Sequence, residues 1–248
     1  MWLPTPLAVA PYQKTLGDTY HIDAGTVSMV ERETLDLLVA EWPDGAEPIL
    51  TLTSRASMKP HAIDFTTPAV PPPKDFSGFG GYLRPLKPAP LDEDVLRSTT
   101  ALVARGSGTD LDRARAIYEW VTETSRRDSS ASSPNRSFVA IARSAGLPAR
   151  GLYGLRLSSA DATRAQADRA EVYLVGYGWV PLDAAERGFG SWDLPWVAYN
   201  DAHDVLLPGS ARGALPFFMH PHGETGGQRV DSLNPEAFRY EIAVRETE

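Results

Sequence analysis

The stretch Phe138-Val139-Ala140-Ile141-Ala142-Arg143-Ser144-Ala145-Gly146-Leu147-Pro148-Ala149-Arg150 decides the fold. Phe138, Ile141, Ala142 and Ala145 recur at three- and four-residue intervals and so share one helical face. Pro134 suits a first helical turn. Gly146 accepts the left-handed conformation of a C-cap, and Pro148 cannot continue the ladder. The spacing predicts a helix over 134–145 and then a strand from Arg150 to Leu157.

Upstream, Leu111, Ala114, Ile117, Tyr118 and Val121 line a second helical face, with Thr109 as N-cap and Asp112 closing a capping box. Downstream, Glu171-Val172-Tyr173-Leu174-Val175 leads through Gly176-Tyr177-Gly178 into Trp179-Val180-Pro181-Leu182, which reads as a hairpin with a tight glycine-containing turn. Residues 1–70 hold short alternating runs such as Ile49-Leu50-Thr51-Leu52-Thr53, separated by turn formers such as Pro43-Asp44-Gly45, and read as a β-rich region. Residues 71–108 carry Pro71-Pro72-Pro73 and Gly78-Phe79-Gly80-Gly81 and read as a linker. Residues 109–190 form the core unit. Residues 191–248 are aromatic-rich and end in the alternation Phe238-Arg239-Tyr240-Glu241-Ile242-Ala243-Val244, expected to be a final strand paired with the N-terminal sheet.

Composition narrows the function classes. With 248 residues and 42% hydrophobic content, the chain suffices for one large domain or two small ones. A net charge of -8, with no basic stripe, speaks against nucleic acid and anionic lipid as partners. No run approaches the ~20 apolar residues of a membrane span, and no signal-peptide pattern is visible at the N-terminus, so a soluble protein is expected, with its compartment, and whether a leader was removed or never existed, left open. The chain has no cysteine. That excludes disulfides, thiolate metal sites and a thiol nucleophile together.

Four runs share an order and type with a known family. They are Arg113-Ala114-Arg115-Ala116-Ile117-Tyr118-Glu119-Trp120-Val121, the 138–150 stretch, Ala170-Glu171-Val172-Tyr173-Leu174, and Gly178-Trp179-Val180-Pro181-Leu182-Asp183. Together they resemble the transglutaminase-like domain, whose bacterial members include candidate thiol proteases and acyltransferases. The resemblance covers roughly residues 110 to 185, and its most specific piece is the Gly-hydrophobic-Pro-Ala-Arg ending. It implies an α+β, papain-like core in which the helix of Phe138 packs on an antiparallel sheet beside the β-rich N-terminal region. It also implies Cys-His-Asp acyl transfer or peptide hydrolysis on a polypeptide or peptide-like amide, with no cofactor and no metal.

The resemblance places the family's nucleophilic cysteine seven residues before Phe138, at a helix N-terminus, where backbone N–H groups and the helix dipole stabilise a thiolate. That position is Ala131. The family's general-base histidine falls four residues before Glu171, at Ala167. Only the third member has a counterpart, Asp183. The segment between the first helix and Ala131, and that from Asp183 to Trp192, are short for the family, which implies a reduced cleft.

Other residues offer substitutes. Ser130 and Ser132 flank Ala131, but a serine hydroxyl needs an adjacent base and no histidine lies near Ala167 in sequence; a polar Ser/Ala loop is the plainer reading. His220-Pro221-His222 with His203 and Asp204 lacks a recognised zinc spacing. Asp183 also suits a structural task, capping the turn Ala184-Ala185-Glu186 with its side chain. Two function classes follow: a non-catalytic binding or scaffold protein, or an amide hydrolase or acyltransferase with a substitute nucleophile. Loss of nucleophile and base leaves binding and oxyanion stabilisation, worth ~10³-fold over water in the serine-protease comparison.

Overall fold

The computed structural model describes residues 1–9, 11–106, 108–127, 133–157, 160–192, 196–210 and 212–246, and the helices within them are α1 (Glu93–Gly106), α2 (Asp110–Arg127) and α3 (Pro134–Ser144). The start of α2 is the expected capping box: Asp112 N donates to Thr109 Oγ1 at 3.1 Å, and Thr109 N donates back to Asp112 Oδ2 at 3.1 Å. The end of α3 is a Schellman turn. Gly146, at φ +80°, donates to Arg143 O at 3.0 Å, and Leu147 N donates to Ala142 O at 2.9 Å. Residues 93–106, inside the stretch read as a linker, form α1, with Glu93 and Asp94 complementing the helix dipole in its first turn.

The chain divides into two compact units, one of residues Pro60–Leu152 and Asp168–Trp192, the other of Met1–Lys59, Tyr153–Ala167 and Asp193–Glu248. In the first, α2 and α3 share a core with an antiparallel sheet, and α1 packs against these two helices. Phe138, Val139, Ile141 and Ala142 of α3 are buried with Ala114, Ile117 and Val121 of α2 against Val172, Leu174, Val180 and Leu182. This is the α+β arrangement expected. The hairpin has the register Glu171↔Pro181, Val172↔Val180 and Tyr173↔Trp179, closing at Leu174↔Gly178. Its turn needs Gly176: φ is +90°, and a Cβ there would stand 2.9 Å from Pro68 Cβ.

The other unit is β-rich. Leu35–Glu41 is flanked by Trp2–Pro4 and Thr26–Arg32, all antiparallel, and its Leu35 pairs with Asn200 of the strand Trp196–Asn200. Gln13–Asp23 and Ile49–Met58 form a separate two-stranded ribbon. Gln13, fully buried, staples the unit: its amide donates to Leu7 O at 2.6 Å and Ala198 O at 2.8 Å, and accepts from Ala198 N at 2.9 Å. The alternation over 238–244 makes one bridge, Asp161 with Ala243, instead of a strand on the N-terminal sheet. The ladder stops there because the Thr163 hydroxyl takes the Ile242 N–H at 2.9 Å, in place of a strand carbonyl.

Candidate functional site

The start of α3 and the ends of two neighbouring strands bring five polar side chains together in the helical unit. Ser133 is the N-cap of α3, its Oγ accepting weakly from Arg136 N at 3.5 Å, and Pro134 follows as the first helical residue. The Ser133 hydroxyl donates in a short hydrogen bond to Asp168 Oδ2. Asn135, 1% exposed, points inward from the first turn. Its Nδ2 donates to Asp168 O at 2.8 Å and Asp183 Oδ1 at 3.2 Å, while its Oδ1 accepts from Ala184 N at 2.7 Å.

Asp183 ends the strand Gly178–Asp183 and is buried. Besides Asn135, its Oδ1 accepts from Ala185 N at 3.0 Å and Glu186 N at 3.1 Å, so it caps the turn that follows. Its Oδ2 faces Arg169 Nε at 3.4 Å, and that guanidinium lies 5.1 Å from the Trp192 ring. The carboxylate is therefore engaged by backbone and amide donors and by the charge of the Arg169 guanidinium, and among the described residues no imidazole is one of its partners.

Asp168 is in a different electrostatic position. Burial holds its carboxyl above the usual range; the Ser133 hydrogen bond and Arg136 pull the other way, and the nearby Asp183 charge pushes it further up. A folded carboxyl that binds its proton more tightly than the unfolded one contributes stability at low pH, and that contribution is lost as pH rises through the folded pKa. Thermal unfolding between about pH 4 and 7 should therefore show the native chain losing stability with rising pH relative to Asp168→Asn. Parallel curves would mean that the Asp168 pKa is the same folded and unfolded.

Of the residues singled out from sequence, Asp183 is in this cluster. Ala167 is the second residue of the strand Gln166–Leu174 and is half-buried. Ala131, with Ser130 and Ser132, lies outside the described residues. The histidines of the imagined metal site have separate partners: His222 Nε2 is 3.3 Å from Glu224 Oε1, His220 Nδ1 is 3.4 Å from Tyr240 OH, and His203 Nδ1 is 3.4 Å from Tyr153 OH. The sequence reading missed Ser133, Asn135, Asp168 and Arg169. The Ser133-Pro134 pair, an N-cap followed by proline, was a usable signal for the first.

Residues 130–184 match the family model of the transglutaminase-like superfamily. That segment is similar to the transglutaminase-like core. The matched segment contains α3, the hairpin and the whole Ser133–Asn135–Asp168–Asp183 cluster. An uncharacterized protein of Haemophilus influenzae is 24% identical over 322 aligned residues, covering 99% of this chain and 85% of the relative. That span exceeds the 248 residues of this chain, so the relative carries insertions that this chain lacks. The crystal structure of a candidate cysteine protease from Cytophaga hutchinsonii shares the fold: the TM-score is 0.55 at 14% identity, with 80% of this chain and 74% of that one covered. Among the described residues no helix is long and apolar enough to cross a membrane.

Proposed function

We propose that this transglutaminase-like protein is non-catalytic and acts as a binding or scaffold module for a polypeptide or another peptide-like amide. The observation that carries the reading is the occupation of Asp183. In a Cys-His-Asp site this carboxylate orients an imidazole; here Arg169 takes that side, and two backbone N–H groups and Asn135 take the other oxygen. A chain without cysteine cannot form a thioester, and Ala167 can accept no proton.

A second reading has one observation in its favour. The Ser133 hydroxyl is hydrogen-bonded to the half-buried Asp168 carboxyl, two residues after the vacant nucleophile position and one after the vacant base position. A serine amide hydrolase would use that pair as nucleophile and base.

One experiment separates the two. The purified chain is incubated with a glutaminyl peptide, with and without a primary amine, and ammonia release is followed after iodoacetamide treatment. The non-catalytic reading expects release no faster than buffer, with saturable peptide binding by tryptophan fluorescence. Turnover that survives alkylation and disappears in Ser133→Ala, Ser130→Ala or Ser132→Ala would establish the second reading and end the first.

A further inference from the structure

The segment 83–91 arches over α3 in the helical unit, held up by two arginines of that helix. Arg143 Nη1 donates to Arg84 O at 2.8 Å, and Arg136 Nη2 donates to Pro88 O at 3.0 Å. Arg143 is itself fixed, its Nε donating to Ala149 O at 2.8 Å. The two arginines stand seven residues apart, about 10 Å along the helix. Between them on the same face is Ala140, whose side chain ends at Cβ. The space between arch and helix is a cavity of about 130 Å³, lined by Leu83, Leu86 and Leu91 of the arch, Leu96 of α1 and Ala140 of α3. Thr100 Oγ1 donates to Ser144 Oγ at 3.1 Å and ties α1 to α3 beside it.

Close-packed interiors hold few voids larger than a water molecule. This one persists because its roof hangs on hydrogen bonds to backbone carbonyls: lowering the arch onto Ala140 would break the contacts of Arg136 and Arg143. Water gains little there, since a buried water needs about two to four polar partners and most of the wall is leucine, proline and alanine. The polar lining residues, Arg143 and Ser144, are already engaged by the hydrogen bonds above. An apolar group would restore the dispersion contacts that the void forfeits. In size the cavity is close to the engineered apolar cavity of ~150 Å³ that takes up benzene.

We infer that this cavity binds an apolar group of about six heavy atoms, a branched aliphatic or phenyl group carried by a small ligand or by a side chain of a bound peptide. Leu83 and Ser144, both exposed, mark the mouth, where the polar end of the ligand stays in solvent. Ala140 lies about two turns along α3 from Ser133, so the site is separate from the Ser133–Asp183 cluster and does not depend on the non-catalytic reading of it.

The test is a titration of the full chain with benzene, N-acetyl-leucinamide or N-acetylglycinamide, following leucine and alanine methyl resonances by NMR. Benzene is expected to shift the methyls of Leu86, Leu91, Leu96 and Ala140 saturably, and N-acetylglycinamide to leave them in place. Displacement of benzene by N-acetyl-leucinamide assigns a peptide side chain as the source, and benzene saturation without displacement assigns a free small molecule. Ala140→Leu fills the floor of the cavity and should abolish the saturable shift, with a thermal midpoint at or above that of the native chain. Should that variant fail to fold, Ala89→Leu fills the same space from the arch. Leu102→Ala, on α1 but outside the lining, should leave binding unchanged. Absence of a saturable shift, a shift spread over methyls outside the lining, or binding that persists in whichever filling variant folds overturns the site.

Discussion

Arg150→Ala is expected to destabilise the chain by about 3–5 kcal/mol, the cost of stranding a buried charge. Glu171 is 0% exposed within the hairpin, and both Nε and Nη2 of Arg150 reach its Oε2 at 2.6 Å. The guanidinium also lies over the Trp179 ring at 4.3 Å, so the substitution removes a cation–π contact as well. The Glu171 carboxylate is fully buried, so water cannot readily replace its partner. The companion experiment is the double variant Arg150→Met, Glu171→Leu. Replacing both charges by apolar groups of similar size should recover most of the loss, because the cost lies in the uncompensated carboxylate more than in the missing attraction. Urea unfolding with an unchanged m-value measures both. A single-variant loss under about 1 kcal/mol would place the pair in the class of solvated surface bridges and refute the argument.

That pair also marks what the sequence makes legible. Arg150 closes the 138–150 stretch and Glu171 opens the hairpin, so both elements are visible as local patterns. The same holds for the Thr109–Asp112 capping box and for Gly146, because caps are determined by residues three or four apart. The helix α1 was hidden. Its flank is rich in proline and glycine, and the apolar residues that its described part turns inward, Leu96 and Val103, are too sparse to outweigh those breakers. The strand expected over 238–244 failed for a different reason: alternation favours an extended chain, but a side-chain hydroxyl from Thr163, 79 residues away, ends the ladder.

The candidate site divides along the same line. Asp183 was legible because it ends a contiguous motif, and its capping of Ala185 and Glu186 is local. Ser133 with Asp168 is a contact across 35 residues, and Asn135 with Asp183 spans 48. Spacing in sequence does not encode such contacts. They appear only once α3 is laid against the hairpin, which fixes the inward direction of Asn135 and the partial burial of Asp168.

Asp183 carries the second large effect, and its direction distinguishes a structural carboxylate from a catalytic one. Asp183→Ala should cost about 3–5 kcal/mol: it removes a carboxylate from a largely buried ion pair with Arg169 and leaves the N–H groups of Ala185 and Glu186 without their acceptor. Asp183→Asn should cost roughly half as much, because the amide oxygen can still accept from those N–H groups while the attraction to Arg169 is lost. The ordering Ala worse than Asn, read from chemical unfolding, follows from backbone capping. A carboxylate kept only to orient an imidazole gives another result: both substitutions abolish turnover alike and leave stability nearly untouched. Equal and small stability losses in the two variants would remove the reason for reading Asp183 as a strut, and with it the main support for a non-catalytic core. Unequal and large losses would mean that the carboxylate persists because the end of the Gly178–Asp183 strand cannot close its turn without it, whatever chemistry it once served.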